Sequence, residues 1–276
     1  MRRGISILTI TALPQWSSGP RGETPDVLAA VRAAGFESFQ TWDPAPAQRA
    51  GLITSGIGRL DDPTQARAIA RSAREAGHDS VTLHVGNGFE SDDEANALIA
   101  ALLDASAAEN IPLYVETHRA TVTQDMKRTL DLVARFPELR FTGDFSHWYT
   151  GAEMTYGDFE AKLDRLQPVL ERVRFLQGRI SDPGCIQIPL NEANEEHIAR
   201  FREFWLRSCR GFLASARPGD YLTFCVELLP ASFCYARLQP DASGELREET
   251  DRWQQALAIV ELAEQVWREA RKGAPS

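Results

Sequence analysis

The chain has 276 residues, 43% of them hydrophobic, 25% charged and 9% aromatic, the composition of an ordinary globular protein long enough for one large core. Its 39 acidic against 30 basic residues give a formal charge of −9. That balance argues against nucleic acid as a partner, because phosphates select surfaces rich in Lys and Arg.

The first run, "MRRGISILTITALPQW", places two arginines before apolar residues, as a secretory signal would. The stretch from Ile5 to Leu13 is short, however, is interrupted by Ser6, Thr9 and Thr11, and lacks a small-residue cleavage site. It reads as the first strand, "ISILTIT". No segment approaches the roughly 20 apolar residues of a membrane span, so no membrane partner and a cytoplasmic location are expected. The helix "TPDVLAAVRAAG" stops at Gly35 and is followed by the strand "FESFQTW". "GLITSGI" is a weaker strand candidate. Asp62-Pro63 then opens a helix whose apolar positions Ala66, Ile69, Ala70 and Ala73 keep the helical period until Gly77.

After the strand "DSVTLHV", "SDDE" forms a capping box from Ser91 to Glu94. The helix behind it carries Leu98, Leu102 and Ala105. "IPLYVE", "LRFTGD", "VRFLQ" and "YLTFCVE" are four further strands. Phe201, Phe204, Trp205 and Phe212 line one long helix, and Ala256, Ile259, Val260, Ala263 and Trp267 line the last. Four cysteines, Cys185, Cys209, Cys225 and Cys234, show neither CxxC spacing nor a disulfide framework. Cys225 and Cys234 are expected as reduced core thiols.

Eight strand candidates alternate with helices and no linker divides them, which predicts a single-domain α/β fold over residues 1–276, a (β/α)8 TIM barrel. No GxGxxG follows the first strand, which disfavours a dinucleotide-binding open sheet.

The strand ends carry chemistry. "VTLH" ends at His84, "PLYVE" at Glu116 with His118 beyond, and "RFTGD" at Asp144 with His147 beyond. "RFLQ" ends at Gln177, followed by Arg179, and "LTFCVE" ends at Glu227. One acidic residue at a strand end is ordinarily a helix cap or a solvated loop residue. Five polar or ionisable strand ends in succession, three of them acidic, with three of the five histidines at or just beyond them, are harder to explain so. A parallel barrel brings its strand C-termini to one rim, where Glu116, Asp144 and Glu227 would converge and repel unless a cation neutralises them. A divalent metal is the simplest resolution. His78, at a helix C-terminus, and His197, on an acidic helix, are expected to be structural.

In "VETHR" (115–119), "GDFSHW" (143–148), "QGRISDPGCIQIP" (177–189) and "VELLP" (226–230), the chain resembles the xylose isomerase-like TIM-barrel superfamily, which includes ketose 3-epimerases and inosose dehydratases. The resemblance spans nearly the whole chain. It implies one divalent metal held by Glu116, Asp144, Gln177 and Glu227. Gln177 departs from the histidine usual in the family, and its amide oxygen would complete an all-oxygen shell. Such a shell favours Mn²⁺ or Mg²⁺, with Zn²⁺ and Co²⁺ as alternatives.

The implied reaction begins with proton removal beside a carbonyl, with Glu116 and Glu227 as the two proton carriers. His147 and Arg179 would hold substrate oxygens, His84 and His118 would complete a polar wall, and Trp16, Trp42 and Trp148 are candidates for a sugar-facing surface. Trp205, Trp253 and Trp267 are expected to pack in the core. The expected activity is a sugar or polyol isomerase or epimerase with a small-molecule substrate, and a homodimer is left open. The alternatives are a dehydratase or lyase on a keto-polyol or oxidised glycoside, and a non-catalytic sugar-binding barrel. An abasic-DNA endonuclease would need more histidines and a basic face.

Overall fold

The structure, a computed structural model, describes residues 1–273. Its first strand is shorter than the apolar run suggests. β1 (Arg2–Ser6) stops where the Ser6 hydroxyl accepts a hydrogen bond from Leu8 N–H at 3.4 Å, and a one-turn helix, α1 (Ile7–Ile10), takes the rest of the run out of the sheet. α2 (Thr24–Ala33) has a proline in its first turn and ends at the predicted Gly35, whose φ of +91° is the left-handed conformation that glycine tolerates.

β2 (Ser38–Gln40) and α3 (Ala45–Arg49) precede β3 (Ile53–Leu60). The weak candidate "GLITSGI" thus belongs to the longest strand of the barrel. A Cβ at Gly58 would lie 3.0 Å from the Leu83 side chain, so glycine there serves close strand packing. Asp62 caps a tight turn at Pro63–Gln65 by accepting from Thr64 N–H at 2.8 Å, and α4 (Ala66–Glu75) continues from it. β4 (Ser80–Val85) leads to α5 (Asp92–Glu109), where both hydrogen bonds of the Ser91–Glu94 capping box are present.

The order continues with β5 (Leu113–Glu116), α6 (Met126–Arg135), β6 (Phe141–Gly143), α7 (Ser146–Gly151), α8 (Phe159–Leu170), β7 (Val173–Gly178), α9 (Glu195–Ser215) and β8 (Thr223–Val226). A small hairpin, β9 (Leu238–Pro240) and β10 (Leu246–Glu248), precedes α10 (Arg252–Lys272).

β1 to β8 each pair in parallel with the next, and β8 closes on β1 through Arg2–Thr223, Arg3–Phe224, Gly4–Cys225 and Ile5–Val226. All eight candidate strands therefore form one closed barrel, and their C-terminal ends share one rim. The apolar faces of α5 and α9 are buried as their period requires, and α10 buries Ala256, Ile259 and Ala263 with Val260 and Trp267 partly covered.

The rim is tied together by a buried arginine. Arg252 pairs with Glu248 at 2.7 Å and donates to the carbonyls of Leu8, Thr9, Thr11 and Ala12, joining the loop after β1 to the hairpin. Of the cysteines, Cys209 and Cys225 are buried, whereas Cys234 is exposed. The expectation of a core thiol at Cys234 is corrected: it ends a turn in the loop after β8 with φ +61°, outside the sheet that buries Cys225.

Candidate active site

Each candidate at a strand end owes its position to a local backbone device. Asp144 follows β6 directly, and its Oδ1 accepts from Ser146 N–H at 3.0 Å and from the Ser146 hydroxyl, so it caps the turn into α7. The ordinary role of a strand-end aspartate and a site role coincide, because Oδ2 faces Arg179 and His147. Thr123 donates to the Glu116 carbonyl at 2.6 Å and Thr117 to the Asp144 carbonyl at 2.9 Å, fixing both strand ends. Beyond β8, Leu228 N–H donates to Thr9 Oγ1 at 2.9 Å, and Gln187 makes two hydrogen bonds to Leu229. Glu227 stands on that braced segment.

The structure brings Glu116, Asp144, Arg179, His147 and Glu227 together, and none is more than 7% exposed; Gln177, two residues before Arg179 at the end of β7, is buried as well. Arg179 is the hub. Its Nη2 pairs with Asp144, lies 3.5 Å from Glu227 Oε2 and 3.3 Å from His147 Nε2, and its Nε donates to Ser146 Oγ at 3.1 Å. His84 Nε2 lies 3.1 Å from Glu116 Oε2. The three predicted histidines form a stack, with ring centroids 4.2 Å apart for His84–His118 and 3.6 Å for His118–His147. Below them Gln40, Thr82 and Thr142 continue a polar layer through the barrel, with Thr82 and Thr142 hydroxyls 2.8 Å apart.

Three buried carboxylates around one guanidinium set the electrostatics. Burial raises Glu227 to about 8, reinforced by Glu116 and Asp144 and opposed by Arg179. Burial also raises Asp144, although Arg179 and the Ser146 hydrogen bonds favour its ionised form. Glu116 goes the other way. Burial opposes its charge, but His84, by charge and hydrogen bond, with His118 and Arg179, brings it below the usual carboxylate range. Burial depresses His84, and the adjacent Glu116 carboxylate more than compensates, leaving it raised. His118 is pushed down to about 4 and His147 well below its ordinary value, both chiefly by burial, so these two imidazoles are neutral at pH 7.

The donor set fits a divalent cation. Among the described residues, Gln177 Oε1 and His147 Nδ1 are buried without a hydrogen-bond partner, and the three carboxylates are offset by Arg179, by His84 beside Glu116 and by the raised pKa of Glu227. Two groups among the described residues have ligand atoms mutually within 4.8 Å: His84, Glu116 and His118, and Glu116, Asp144 and His147. Glu227 belongs to neither group, so the histidines are nearer alternatives to it than the sequence suggests.

The tryptophans fare differently. Trp148 is 1% exposed and donates from Nε1 to the Thr123 carbonyl at 2.7 Å, so it braces the Glu116 loop, which corrects the expectation of a sugar-facing ring. Trp16 and Trp42 are 40% and 59% exposed and are not among the residues the cluster brings together; Trp42 lines a surface groove with Ile69 and His78. Of the tryptophans expected in the core, Trp205 is fully buried and Trp253 nearly so. His197 Nδ1 lies within hydrogen-bond distance of the Tyr149 hydroxyl, at 2.7 Å, consistent with a structural role.

Tyr235, from the loop after β8, was not foreseen. The Arg179 guanidinium lies 4.7 Å from its ring centre and that of Arg119 5.6 Å, while His147 meets its edge at 6.3 Å. Its only sequence signal is an aromatic residue in a loop of the rim where barrel sites are built.

No protein-family model matches the chain, and no curated protein matches it. Solved structures do. A D-tagatose 3-epimerase-like protein matches with TM-score 0.59 and 11% identity, over 99% of this chain and 99% of that one. A probable 3-DHS dehydratase from Bacillus anthracis matches with TM-score 0.57 and 15% identity, over 95% and 98%. A xylose isomerase-like TIM barrel protein from Mycobacterium smegmatis, in complex with magnesium, matches with TM-score 0.59 and 12% identity, over 96% and 97%. At such identities the likeness is one of fold, the closed (β/α)8 barrel that the strand order of this chain shows.

Proposed function

We propose that the protein is a divalent-metal-dependent isomerase or epimerase of sugars or polyols, acting by proton transfer next to a carbonyl. The observation that carries this reading is the convergence of buried Glu116, Asp144 and Glu227 around Arg179 and the His84–His118–His147 stack, with Glu116 displaced downward by His84 and Glu227 upward by burial in the metal-free protein. Pairs of titratable groups pushed apart by their surroundings mark the base and the acid of a site.

Glu116 is ionised at neutral pH and positioned to accept a proton from the carbon beside the carbonyl. Glu227 is the second carboxylate of the cluster and the candidate for returning a proton; holding a cation would require its ionised form. His84, in ion-pair contact with Glu116, keeps that carboxylate charged until it is protonated. The neutral His118 and His147 offer uncharged hydrogen bonds to substrate hydroxyls, and Arg179 braces Asp144 and Glu227.

Glu116, Asp144, Gln177 and Glu227 would hold the cation, with His147 as the alternative fourth donor. When bound it would polarise the substrate carbonyl, an effect worth several kcal/mol in related chemistry. The names of the structural neighbours, an epimerase-like protein and a probable dehydratase, are compatible with such chemistry. The test is metal analysis of the purified protein together with proton NMR of ketoses, inososes and keto-glycosides in D2O. Metal-dependent deuterium incorporation without loss of water or aglycone is expected. Release of water or aglycone would make the site eliminative, and no exchange with any divalent metal would leave a binding barrel.

A further inference from the structure

The opposite end of the barrel carries a second polar site that the proposed reaction does not use. Arg140 enters β6 and Arg174 lies near the start of β7, and both line a cleft of about 400 Å³ with Tyr114, Tyr221, Asn110 and Gly219. Neither arginine has a carboxylate within ion-pair distance among the described residues, in a chain where acidic residues outnumber basic ones. Backbone carbonyls hold them instead. Arg140 Nη1 donates to Pro137 and Leu139, each at 2.9 Å. Arg174 Nη1 donates to Glu171 and Val173 at 3.1 and 2.8 Å, and its Nη2 donates to Ser215 Oγ at 2.8 Å.

Those contacts fix the guanidiniums without neutralising them. They also leave the Nε–Nη2 edge of Arg140 and the Nε of Arg174 without an acceptor among the described residues. That edge is the fork which matches two oxygens of an oxyanion. The two acidic residues on the cleft wall do not fill it. Glu138 pairs with neither arginine, and Asp220 accepts from Arg217 N–H at 2.8 Å. Burial depresses both guanidiniums, helped by Arg172 at Arg140 and by Arg140 and Arg172 at Arg174, and opposed by Glu138 and Tyr114 at the first and by Tyr114 and Asp220 at the second, neither carboxylate lying within ion-pair distance. The arginines can be read simply as caps for the helix ends before β6 and β7. Capping accounts for Nη1 but not for two un-neutralised cations sharing one cleft.

We propose that this cleft at the N-terminal mouth of the barrel binds a phosphate oxyanion, free or as a small phosphate monoester, through the open Nε–Nη2 edge of Arg140 and the Nε of Arg174. The experiment is isothermal titration of the full chain with inorganic phosphate at constant ionic strength in chloride, repeated with glycerol phosphate. One-site binding is expected, weakened about tenfold or more in Arg140→Gln and in Arg174→Gln, and unchanged in Arg119→Gln at the opposite rim. Arg140→Lys keeps the charge without the fork. It is expected to fold like the parent and still bind more weakly, which keeps the test decisive if the glutamine variants misfold. The tighter of the two probes identifies the source of the phosphate. Absence of heat at millimolar phosphate, binding abolished by matched chloride, or binding lost only in Arg119→Gln would each overturn the proposal.

Discussion

Replacing Glu227 by glutamine should stabilise the metal-free protein at alkaline pH. In the fold its carboxyl titrates at about 8, against an ordinary 4.5. The folded state therefore favours the protonated form. That contribution is complete below pH 4.5 and is lost as pH rises through 8, because the unfolded chain ionises freely while the folded one resists. A displacement of 3.5 pH units corresponds to about 5 kcal/mol at most. Between pH 5.5 and 8.5 roughly half of that should be observable, since side chains relax and water enters around a buried charge. Glutamine has nearly the same shape and no charge to bury. Urea denaturation in EDTA across that range should show parent and Glu227→Gln converging near pH 5 and separating by about 2–3 kcal/mol at pH 8.5, the variant being the more stable. Mn²⁺ should reverse the order, because a ligand bound by the folded state adds RT ln(1 + [L]/Kd) and the variant has lost a carboxylate. Parallel pH profiles for the two proteins would refute the reasoning.

Glu116→Gln should retain the fold and lower deuterium exchange by about 10²–10⁴-fold, measured by NMR with metal present; a near-parental rate would move the base to His118 or His84. Gln177→His should shift metal preference toward Zn²⁺ or Co²⁺, read by competition titration; unchanged selectivity would exclude Gln177 and favour His147. Gly211→Ala should lower stability by roughly 1–3 kcal/mol in thermal melts, because a Cβ there would lie 2.4 Å from the Glu171 Cα backbone atom.

How much of this was legible in the sequence depended on whether a residue's role is set by its own strand or by a distant one. Glu116, Asp144, Gln177 and Glu227 could be read because a parallel barrel sends every strand terminus to the same rim, so each local pattern of apolar run and polar stop carried a global position. The length of β1 could not, since Ser6 ends it with a side-chain hydrogen bond that hydrophobicity does not record. Nor could the β9–β10 hairpin, whose three-residue strands are largely exposed and leave no alternation to find. The tryptophans show the same division. Trp148 sits within the site motif, yet its indole is committed to the Thr123 carbonyl, a partner 25 residues away. The pairing of Arg179 with Asp144, 35 residues apart, is the most consequential case. Sequence assigned that arginine to substrate. In the structure it already offsets part of the charge of a three-carboxylate cluster, so the proposed substrate and cation would bind alongside a guanidinium already paired with Asp144 and close to Glu227.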